Sequence, residues 1–504
     1  MSASPGSTST GSTSTQAART AAAAVTENTE NTVSTGAARS GADPRRWWSL
    51  VAVSLATFMT YLDNNVTNVA IPTIQRSLHL SVAGLEWVVS SYLLTLAGLL
   101  LVGGRLADLF GRRRMFMTGL AVFTLSSLAA GLAGSGGVLI AARAVQGVGA
   151  AFLMPTTLAI IMATFTDIKE RTAAIGIWTA IGAMGLAFGP VVGGLISQHI
   201  RWGWIFLINV PVGVVTFAIA VRTMRESRAS SAVRKYDAGG LVTSAISLFA
   251  LTYALIEGHD KGWTSLQIVA SFAVSAVALA IFIAVESRAE HPMVDLRVFR
   301  IRQFSGGTST MMIWAFGILG IYFFTSLYLQ GILGFSPTKA GLAFVPMALS
   351  LALFAGVAPR VEALIGGHRT VALGMLMMVV GLVLFAGLGQ HAGFGSVMPG
   401  FIVFGAGAGL MNVPLTNSVL EAIPQARAGV ASALLNASRE VAGLLGITVI
   451  GAVLRSSQAA ALRAGSAPAR AFLDGYHSGL WVTIALLGAG VVLSYVTLRP
   501  AKTP

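Results

Sequence analysis

The sequence predicts an all-α polytopic membrane protein, and three observations support this prediction. Of the 504 residues, 55% are hydrophobic and only 10% are charged, whereas soluble domains carry about 25% charged residues. About fourteen apolar runs follow one another from Trp47 onward, each close to the length that a helix needs to cross a bilayer. The chain has no cysteine, which excludes disulfides, thiolate metal sites and cysteine nucleophiles.

The N-terminal segment, residues 1–46, is predicted to be a disordered cytoplasmic tail. It is rich in Ser, Thr, Ala and Gly and has almost no large apolar side chains, so it cannot bury a core. No apolar stretch typical of a cleavable signal peptide precedes Trp47. The first apolar run is therefore expected to be the first membrane helix.

The formal net charge of +14 is interpreted as a sign of membrane orientation rather than of nucleic-acid binding. Arginines concentrate in alternate connections such as Arg112–Arg114, and the positive-inside rule places these connections and both termini in the cytoplasm. The last outer connection fits the rule less well, because it is long and carries Arg455, Arg463 and Arg470. Within it, Ala459–Ala464 is predicted to form a short helix on the membrane surface.

The lengths of the connections predict a 6+2+6 arrangement. The two longest cytoplasmic connections, at about 223–237 and 286–304, lie on either side of the seventh and eighth runs. Many transporters consist of two related six-helix halves with the substrate site between them. The expected parts are the tail (1–46), an N-terminal six-helix bundle (47–222), linkers with two inserted helices (223–303), a C-terminal six-helix bundle (304–499) and a short cytoplasmic tail (500–504).

The fifth apolar run contains the most unusual motif, Gly185-Leu-Ala-Phe-Gly189-Pro190-Val-Val-Gly193-Gly194. Small residues four apart let two membrane helices approach closely, and proline bends a helix. The motif therefore favours a helix that packs tightly and takes part in a movement. A static, close-packed helix pair is the alternative.

Asp63 and Arg143 are the candidate proton-coupling residues, because ionisable groups inside apolar runs are costly. Low dielectric favours the neutral form of a carboxyl group, so Asp63 could take up and release protons. Both residues are predicted to lie in the outer half of the membrane at similar depth. A guanidinium stays protonated, so Arg143 is a partner that tunes Asp63. The alternatives are a structural acid at Asp63 and a snorkelling arginine at Arg143.

Two further pairs of charged residues are candidates. Asp108 and Arg112 are four residues apart at the cytoplasmic end of the second run, where an ion pair could close that side, although the arginines there also set the topology. Arg439 and Glu440 lie within the thirteenth run; they form a buried pair, or Glu440 is a second proton site. By contrast, Glu86 lies near the end of a run and is expected to face solvent.

A substrate cavity is the least specific of these predictions. Aromatic residues crowd the ninth run, and methionine and asparagine occur in the twelfth, which would suit a flat, apolar and variable guest. The same residues at helical spacing are equally typical of an ordinary core. The candidate cavity residues are Gln146, Tyr322, Phe323, Tyr328, Met411, Asn412 and Arg439.

Motifs of soluble enzymes are absent from the sequence, including the Walker sequence of ATPases. We therefore expect no enzyme activity, no cofactor, no metal and no nucleic-acid partner. The partners expected from the residues alone are protons and the lipid bilayer, and the expected energy source is a proton gradient. A monomer is the default expectation.

In combination, the motifs resemble those of the fourteen-helix drug/proton antiporters of the major facilitator superfamily, from about Trp47 to Arg499. Gly104–Arg113 resembles the cytoplasmic loop motif, Leu139–Ala150 the arginine motif of helix four, Gly185–Gly194 the antiporter motif of helix five, and Leu62–Pro72 the first-helix motif. The positions carried over are Gly104, Asp108, Gly111, Arg112 and Arg113 for gating, and Gly185, Gly189, Pro190, Gly193 and Gly194 for the antiporter motif.

The resemblance implies a major facilitator fold and export of lipophilic drugs or antibiotics across the plasma membrane, driven by protons. It implies proton coupling through Asp63, tuned by Arg143, and a place for Gly189 and Pro190 at the interface of the halves. Two departures stand out: Asn65 replaces the usual threonine, and Gly203 replaces the arginine of a Trp-Arg-Trp sequence. The alternatives are a proton-coupled symporter for a nutrient and a membrane protein that transports nothing.

Overall fold

The computed structural model describes residues 45–228, 238–289, 294–423 and 428–499, and within these ranges the regular secondary structure is helical throughout. The first six membrane-crossing helices are α1 (Arg45–Leu78), α2 (Val82–Phe110), α3 (Arg112–Gly131), α4 (Gly136–Thr164), α5 (Ile168–His199) and α6 (Trp204–Thr223, interrupted after Leu207). Two more follow, α7 (Ala238–Lys261) and α8 (Leu266–Arg288).

A 3₁₀ turn (Leu296–Arg300) leads into the last six helices. They are α9 (Arg302–Ile332, ending in a π-helical turn), α10 (Pro337–Ile365, interrupted at Phe344), α11 (Gly367–Ala386), α12 (Phe394–Glu421), α13 (Ala428–Arg463) and α14 (Pro468–Thr497). From Trp48 onward the described residues belong to one compact unit. Most of the predicted tail 1–46 and the residues 500–504 lie outside the described ranges.

The helices are long and apolar enough to explain a multi-pass membrane protein. Thirteen of them, α2 to α14, reach the length and hydropathy of a membrane span. The 34-residue α1 is not in this set, because Asp63 and its neighbouring asparagines lower its hydropathy. The predicted all-α polytopic fold is confirmed.

Each six-helix half begins and ends at the same end of the bundle. In the first half, the Ser49 hydroxyl near the start of α1 donates to the Thr223 carbonyl at the end of α6, at 3.1 Å. In the second half, the Arg302 side chain at the start of α9 donates to the Val496 carbonyl near the end of α14. We call this end the cytoplasmic end and the opposite one the outer end, following the predicted orientation.

One expectation at the outer end is wrong. The stretch Ala459–Ala464 is not a separate surface helix, because α13 continues through it to Arg463 and α14 begins at Pro468. The alanine-rich run favours helix, and the helix ends where Gly465 adopts a positive φ of 84°. The outer connection is therefore short, and Arg455 lies inside α13.

The inserted pair, α7 and α8, packs against the seam between the halves. Helix α8 packs on α7, and α7 packs on α2 of the first half and on α13 of the second half. The Trp87 indole of α2 donates to Glu257 of α7 at 2.9 Å. The pair is thus attached to both bundles through α7.

Candidate functional site

Asp63 and Arg143 form a buried ion pair inside the first half. An Arg143 Nη1 donates to Asp63 Oδ2 at 2.5 Å. Asp63 is 1% exposed and Arg143 is 0% exposed. The pair joins α1 to α4, so the two side chains predicted to share a polar environment do so.

Three more polar side chains complete this network, which we call the Asp63 cluster: Asp63, Arg143, Gln146, Asn209 and Ser127. Gln146 donates to Asp63 Oδ1 at 2.8 Å, and Asn209 donates to the same oxygen at 2.7 Å. Gln146 lies one helical turn after Arg143 and accepts a hydrogen bond from it at 2.7 Å. Ser127 of α3 accepts from Gln146 at 2.8 Å.

Asn209 and Ser127 were not predicted from the sequence. Asn209 follows the interruption of α6 after Leu207, and Pro211 lies two residues later. A polar residue close to a proline in an otherwise apolar run was a usable signal for Asn209. For Ser127 there was none, because buried serines that donate to their own helix are common in such helices.

The Arg143 guanidinium is also held by aromatic rings and a backbone oxygen. Its central carbon lies 4.3 Å from the centre of the Tyr92 ring and 5.5 Å from that of Phe206. Its Nε donates to the Val88 carbonyl at 3.2 Å. Cation–π contacts strengthen when desolvated, so these contacts hold the guanidinium in addition to its pairing with Asp63.

The Asp63 cluster is not fully saturated. Arg143 Nη2 and Asn209 Oδ1 are buried and have no hydrogen-bond partner among the described atoms. Buried polar atoms without partners are uncommon, so each one needs a physical explanation. Protonation of Asp63 would turn one oxygen into a donor, for which Asn209 Oδ1 is an available acceptor after a side-chain rotation.

The glycines of Gly185–Gly194 contact two different helices. A β-carbon at Gly185 would lie 2.7 Å from the Phe58 carbonyl oxygen, and one at Gly193 would lie 2.7 Å from that of Val66. Both of these contacts are with α1. Since ordinary β-carbons do not come so close, these positions admit only glycine at this helix separation.

The same motif reaches the second half through Gly194 and Pro190. A β-carbon at Gly194 would lie 2.5 Å from the Pro337 carbonyl oxygen of α10, and one at Gly341 of α10 would overlap the Pro190 carbonyl. Gly189 instead faces Asn65 of α1 in its own half. Gly189 and Pro190 were both expected at the interface of the halves. The structure places Pro190 at this interface, whereas Gly189 contacts α1 of its own half.

The cytoplasmic loop motif is ordered within the first half. Arg112 pairs with Asp108 at 3.2 Å and also donates to the Ala159 carbonyl. Gly111 has a φ of 112°, and the Glu226 carboxylate accepts the backbone N–H groups at the start of α3. The Asp108–Arg112 pair therefore does not join the halves in the conformation described. Glu226, which caps the helix, was not predicted.

Arg439 and Glu440 form an ion pair at 2.7 Å on α13. Glu440 is 5% exposed, and the Tyr61 hydroxyl of α1 lies beside the Arg439 guanidinium. The pair therefore faces the first half from the second. The geometry agrees with the buried-pair interpretation, and a proton-binding role for Glu440 stays a prediction.

The candidate cavity residues lie in different places. Gln146 belongs to the Asp63 cluster, Met411 packs against Gly374, and Tyr328 stacks on Tyr476 with ring centres 5.0 Å apart. Tyr322 lines a cavity of about 10 Å³ inside the second half, room for about one water molecule. The remaining candidates are the buried Phe323, the half-buried Asn412 and Arg439.

The outer end contains an ion pair that the sequence analysis placed in solvent. Glu86 is 0% exposed and accepts a hydrogen bond from Arg455 of α13. The expectation of a solvated Glu86 is wrong, because the continuous α13 brings an arginine from the other half against it. Within the described ranges, no three His, Asp or Glu side chains are grouped as a metal site would require.

The departure at Gly203 has a packing explanation. A β-carbon there would overlap the carbonyl oxygen of Gly131 at the end of α3. The neighbouring Trp202 indole donates to Ser77 at 2.9 Å. The glycine thus lets α6 start directly against α3, in place of an arginine side chain.

The chain is similar to known proteins over most of its length. The Major Facilitator Superfamily model matches residues 53–447. Multidrug resistance protein Stp of Mycobacterium tuberculosis is 36% identical over 416 residues, covering 82% of this chain and 77% of that protein. Puromycin resistance protein pur8 of Streptomyces alboniger is 35% identical over 467 residues, covering 91% of each. The tetracenomycin C resistance and export protein of Streptomyces glaucescens is 34% identical, covering 83% of this chain and 77% of that protein.

Solved structures share the fold. An auto-inhibited peptide transporter of the POT family has a TM-score of 0.67 at 15% identity, covering 91% of this chain and 98% of that one. A bacterial homologue of the lysosomal transporter Spinster, solved facing inward, has a TM-score of 0.64 at 19% identity, with the same coverage. The family predicted from the motifs is confirmed, and the chain belongs to the major facilitator superfamily.

Proposed function

We propose that this protein exports small lipophilic drugs or antibiotics across the cell membrane in exchange for protons, with both termini in the cytoplasm. Relatives at 34–36% identity are described as multidrug, puromycin and tetracenomycin resistance proteins, one of them also as an export protein. They match this chain over most of its length. The resemblance of Gly185–Gly194 to the antiporter motif favours export over symport.

The Asp63 cluster carries the proposal of proton coupling. A carboxylate that is 1% exposed and paired with a guanidinium holds its charge only while that pairing lasts. When Asp63 takes up a proton, the attraction to Arg143 falls, and Arg143 keeps its contacts to Tyr92 and the Val88 carbonyl. Binding and release of one proton at Asp63 can thus change the strength of the contact between α1 and α4.

The seam between the halves supports alternating access. At the outer end, Gln330 of α9 donates to the Val69 carbonyl of α1 at 2.8 Å, and the Thr338 backbone N–H donates to Gln198 of α5 at 3.1 Å. With the Glu86–Arg455 pair, these bonds close the outer end. Release of a cargo to the outside requires this seam to open, so the conformation described represents an outer-closed step of the cycle.

Replacing Asp63 by asparagine tests the proposal. Asn cannot take up a proton, so proton-driven efflux should disappear while the protein still reaches the membrane. We would measure efflux of fluorescent lipophilic dyes and antibiotic susceptibility in cells, with and without a protonophore. Asp474→Asn, which alters an exposed carboxylate of α14, is the matched control and should transport normally.

Two outcomes would contradict the proposal. Normal proton-driven efflux by Asp63→Asn would remove this carboxylate from the coupling step. Unchanged accumulation of every dye and antibiotic tried, with the unsubstituted protein at full expression, would remove drug export altogether. Proton-linked uptake of a nutrient in the same cells would then favour the symporter.

A further inference from the structure

The Glu86–Arg455 pair joins the two halves at the outer end, and the coupling step proposed above does not use it. Glu86 lies in the second turn of α2, and Arg455 lies near the outer end of α13. Glu86 is 0% exposed and Arg455 is 5% exposed. Two charges removed from water are costly unless other polar groups also hold them.

The inserted helix pair supplies those further groups. Arg455 Nη2 donates to the carbonyl oxygens of Leu255 at 3.2 Å and Ile256 at 3.0 Å, both on α7. Glu257, the next residue of α7, accepts from Trp87, the next residue after Glu86. One guanidinium therefore connects the first half, the second half and the inserted pair.

Each side of the pair has one buried polar atom without a partner. Glu86 Oε2 and Arg455 Nε have no hydrogen-bond partner among the described atoms. The carboxyl group lies against Gly451, where a β-carbon would be only 2.6 Å from Glu86 Cδ. A buried, unpartnered oxygen of a carboxylate costs free energy, and it is the atom to which a proton can bind without displacing Arg455.

We propose that Glu86, Arg455 and the two α7 carbonyls form an outer latch, and that a proton from the outside releases it by binding Glu86 Oε2. The new O–H bond makes the glutamate neutral. Arg455 keeps its charge and its two α7 acceptors, so only the ionic attraction between α2 and α13 is lost. The latch rests on the proposed function in one respect, since it assumes that the outer end opens during transport.

The charges around Glu86 are compatible with this assignment. Helix α7 presents Asp260, and it presents Glu257 paired with Lys261 at 3.6 Å. From α4, the Arg143 side chain reaches the Val88 carbonyl on α2, but its charge is balanced by Asp63. Arg455 on α13 is therefore the cation paired with Glu86.

Cysteine labelling from the outside tests the latch. The chain has no native cysteine, and Val69→Cys places a thiol at a fully buried position of the outer seam. A membrane-impermeant maleimide added to intact cells should label it slowly at alkaline outer pH and about tenfold faster or more at mildly acidic pH. Acid lowers the thiolate fraction of any cysteine and so slows its labelling. The labelling rate of Val69→Cys is therefore divided by that of Ala464→Cys, which lies at an exposed position.

Substitution of Glu86 gives the decisive comparison. Glu86→Gln mimics the protonated carboxyl, so Val69→Cys should label rapidly at both pH values in this background. Asp474→Asn, which alters an exposed carboxylate near the start of α14, is the matched control and should keep the pH dependence of the unsubstituted protein. Slow labelling of Glu86→Gln at alkaline pH would overturn the latch.

Two further variants keep the test independent of folding and of the transport proposal. If Glu86→Gln fails to reach the membrane, Gly451→Ala presses on the same carboxyl group and should raise labelling at alkaline pH; an unchanged rate would contradict the latch. Asp63→Asn should lose proton-driven efflux yet keep pH-dependent labelling. Loss of both together would mean that Asp63, and not Glu86, controls the outer end.

Discussion

At the scale of residues, the Asp63 cluster shows how a membrane protein keeps an ionised carboxylate out of water. Three donors reach its two oxygens: Arg143 at 2.5 Å, Asn209 at 2.7 Å and Gln146 at 2.8 Å. Hydrogen bonds to a charged group are stronger than those between neutral groups. Removing one neutral donor should therefore weaken the contacts that hold α1 in the cluster.

Asn209→Ala tests the role of this donor. A hydrogen bond to a charged group contributes about 1.5–3 kcal/mol, so proton-driven efflux should fall by about tenfold or more. We would measure dye efflux in proteoliposomes with an imposed proton gradient. Asn65→Ala, which removes an asparagine whose side chain donates to the Tyr61 carbonyl of its own helix, is the control and should keep its efflux rate. Unchanged efflux by Asn209→Ala would contradict the proposed role of Asn209.

At the scale of elements, α5 has two packing faces with different partners. Gly185 and Gly193 fit against α1 within the first half, whereas Gly194 fits against α10 of the second half. The first face lies within one bundle, and the second lies on the seam that opens and closes under the proposed function. Substitutions on the two faces should therefore fail in different ways.

Gly194→Leu should prevent closure of the outer seam without unfolding the first half. We expect normal expression and thermal stability, loss of efflux and faster outside labelling of Val69→Cys. Gly176→Leu is the matched control on the same helix, because a β-carbon there has no neighbour within 4 Å. Full transport by Gly194→Leu would show that the tight contact with Pro337 is not needed.

At the scale of the whole molecule, the outer end is closed by contacts of both halves and of the inserted pair. Gln330, Thr338 and Arg455 each bond across the seam. Because α7 contacts both halves, a movement of one half relative to the other would change the contacts of the α7–α8 pair. The inserted pair therefore takes part in closing the outer end through α7.

A thiol crosslink across the seam should stop the cycle reversibly. Gln198→Cys with Thr338→Cys places one thiol on α5 and one on α10, where the Thr338 backbone N–H donates to the Gln198 side-chain oxygen at 3.1 Å. A reducible bifunctional methanethiosulfonate reagent should link the two thiols and abolish efflux, and a reductant should restore it. Ser457→Cys with Ser478→Cys, whose hydroxyls are 2.9 Å apart within the second half, is the control and should transport after the same treatment. Efflux by the crosslinked seam pair would exclude opening at this point.

The sequence by itself determined the class of the protein, because apolar runs of bilayer length and alternating arginines depend on composition and order alone. It also singled out Asp63 and Arg143, since charges inside such runs are costly wherever they lie. The glycine motif was predictable as a close contact, but its partners were not.

Only the tertiary structure decided which side chains meet. Asn209 joins Asp63 and Arg455 joins Glu86 across 146 and 369 residues of chain, and no local spacing encodes such distances. From the sequence, Glu86 was expected to be solvated because a residue near a helix end is usually accessible to water. It is buried because a second helix bundle and α7 cover it, and burial of that kind depends on how completed helices pack.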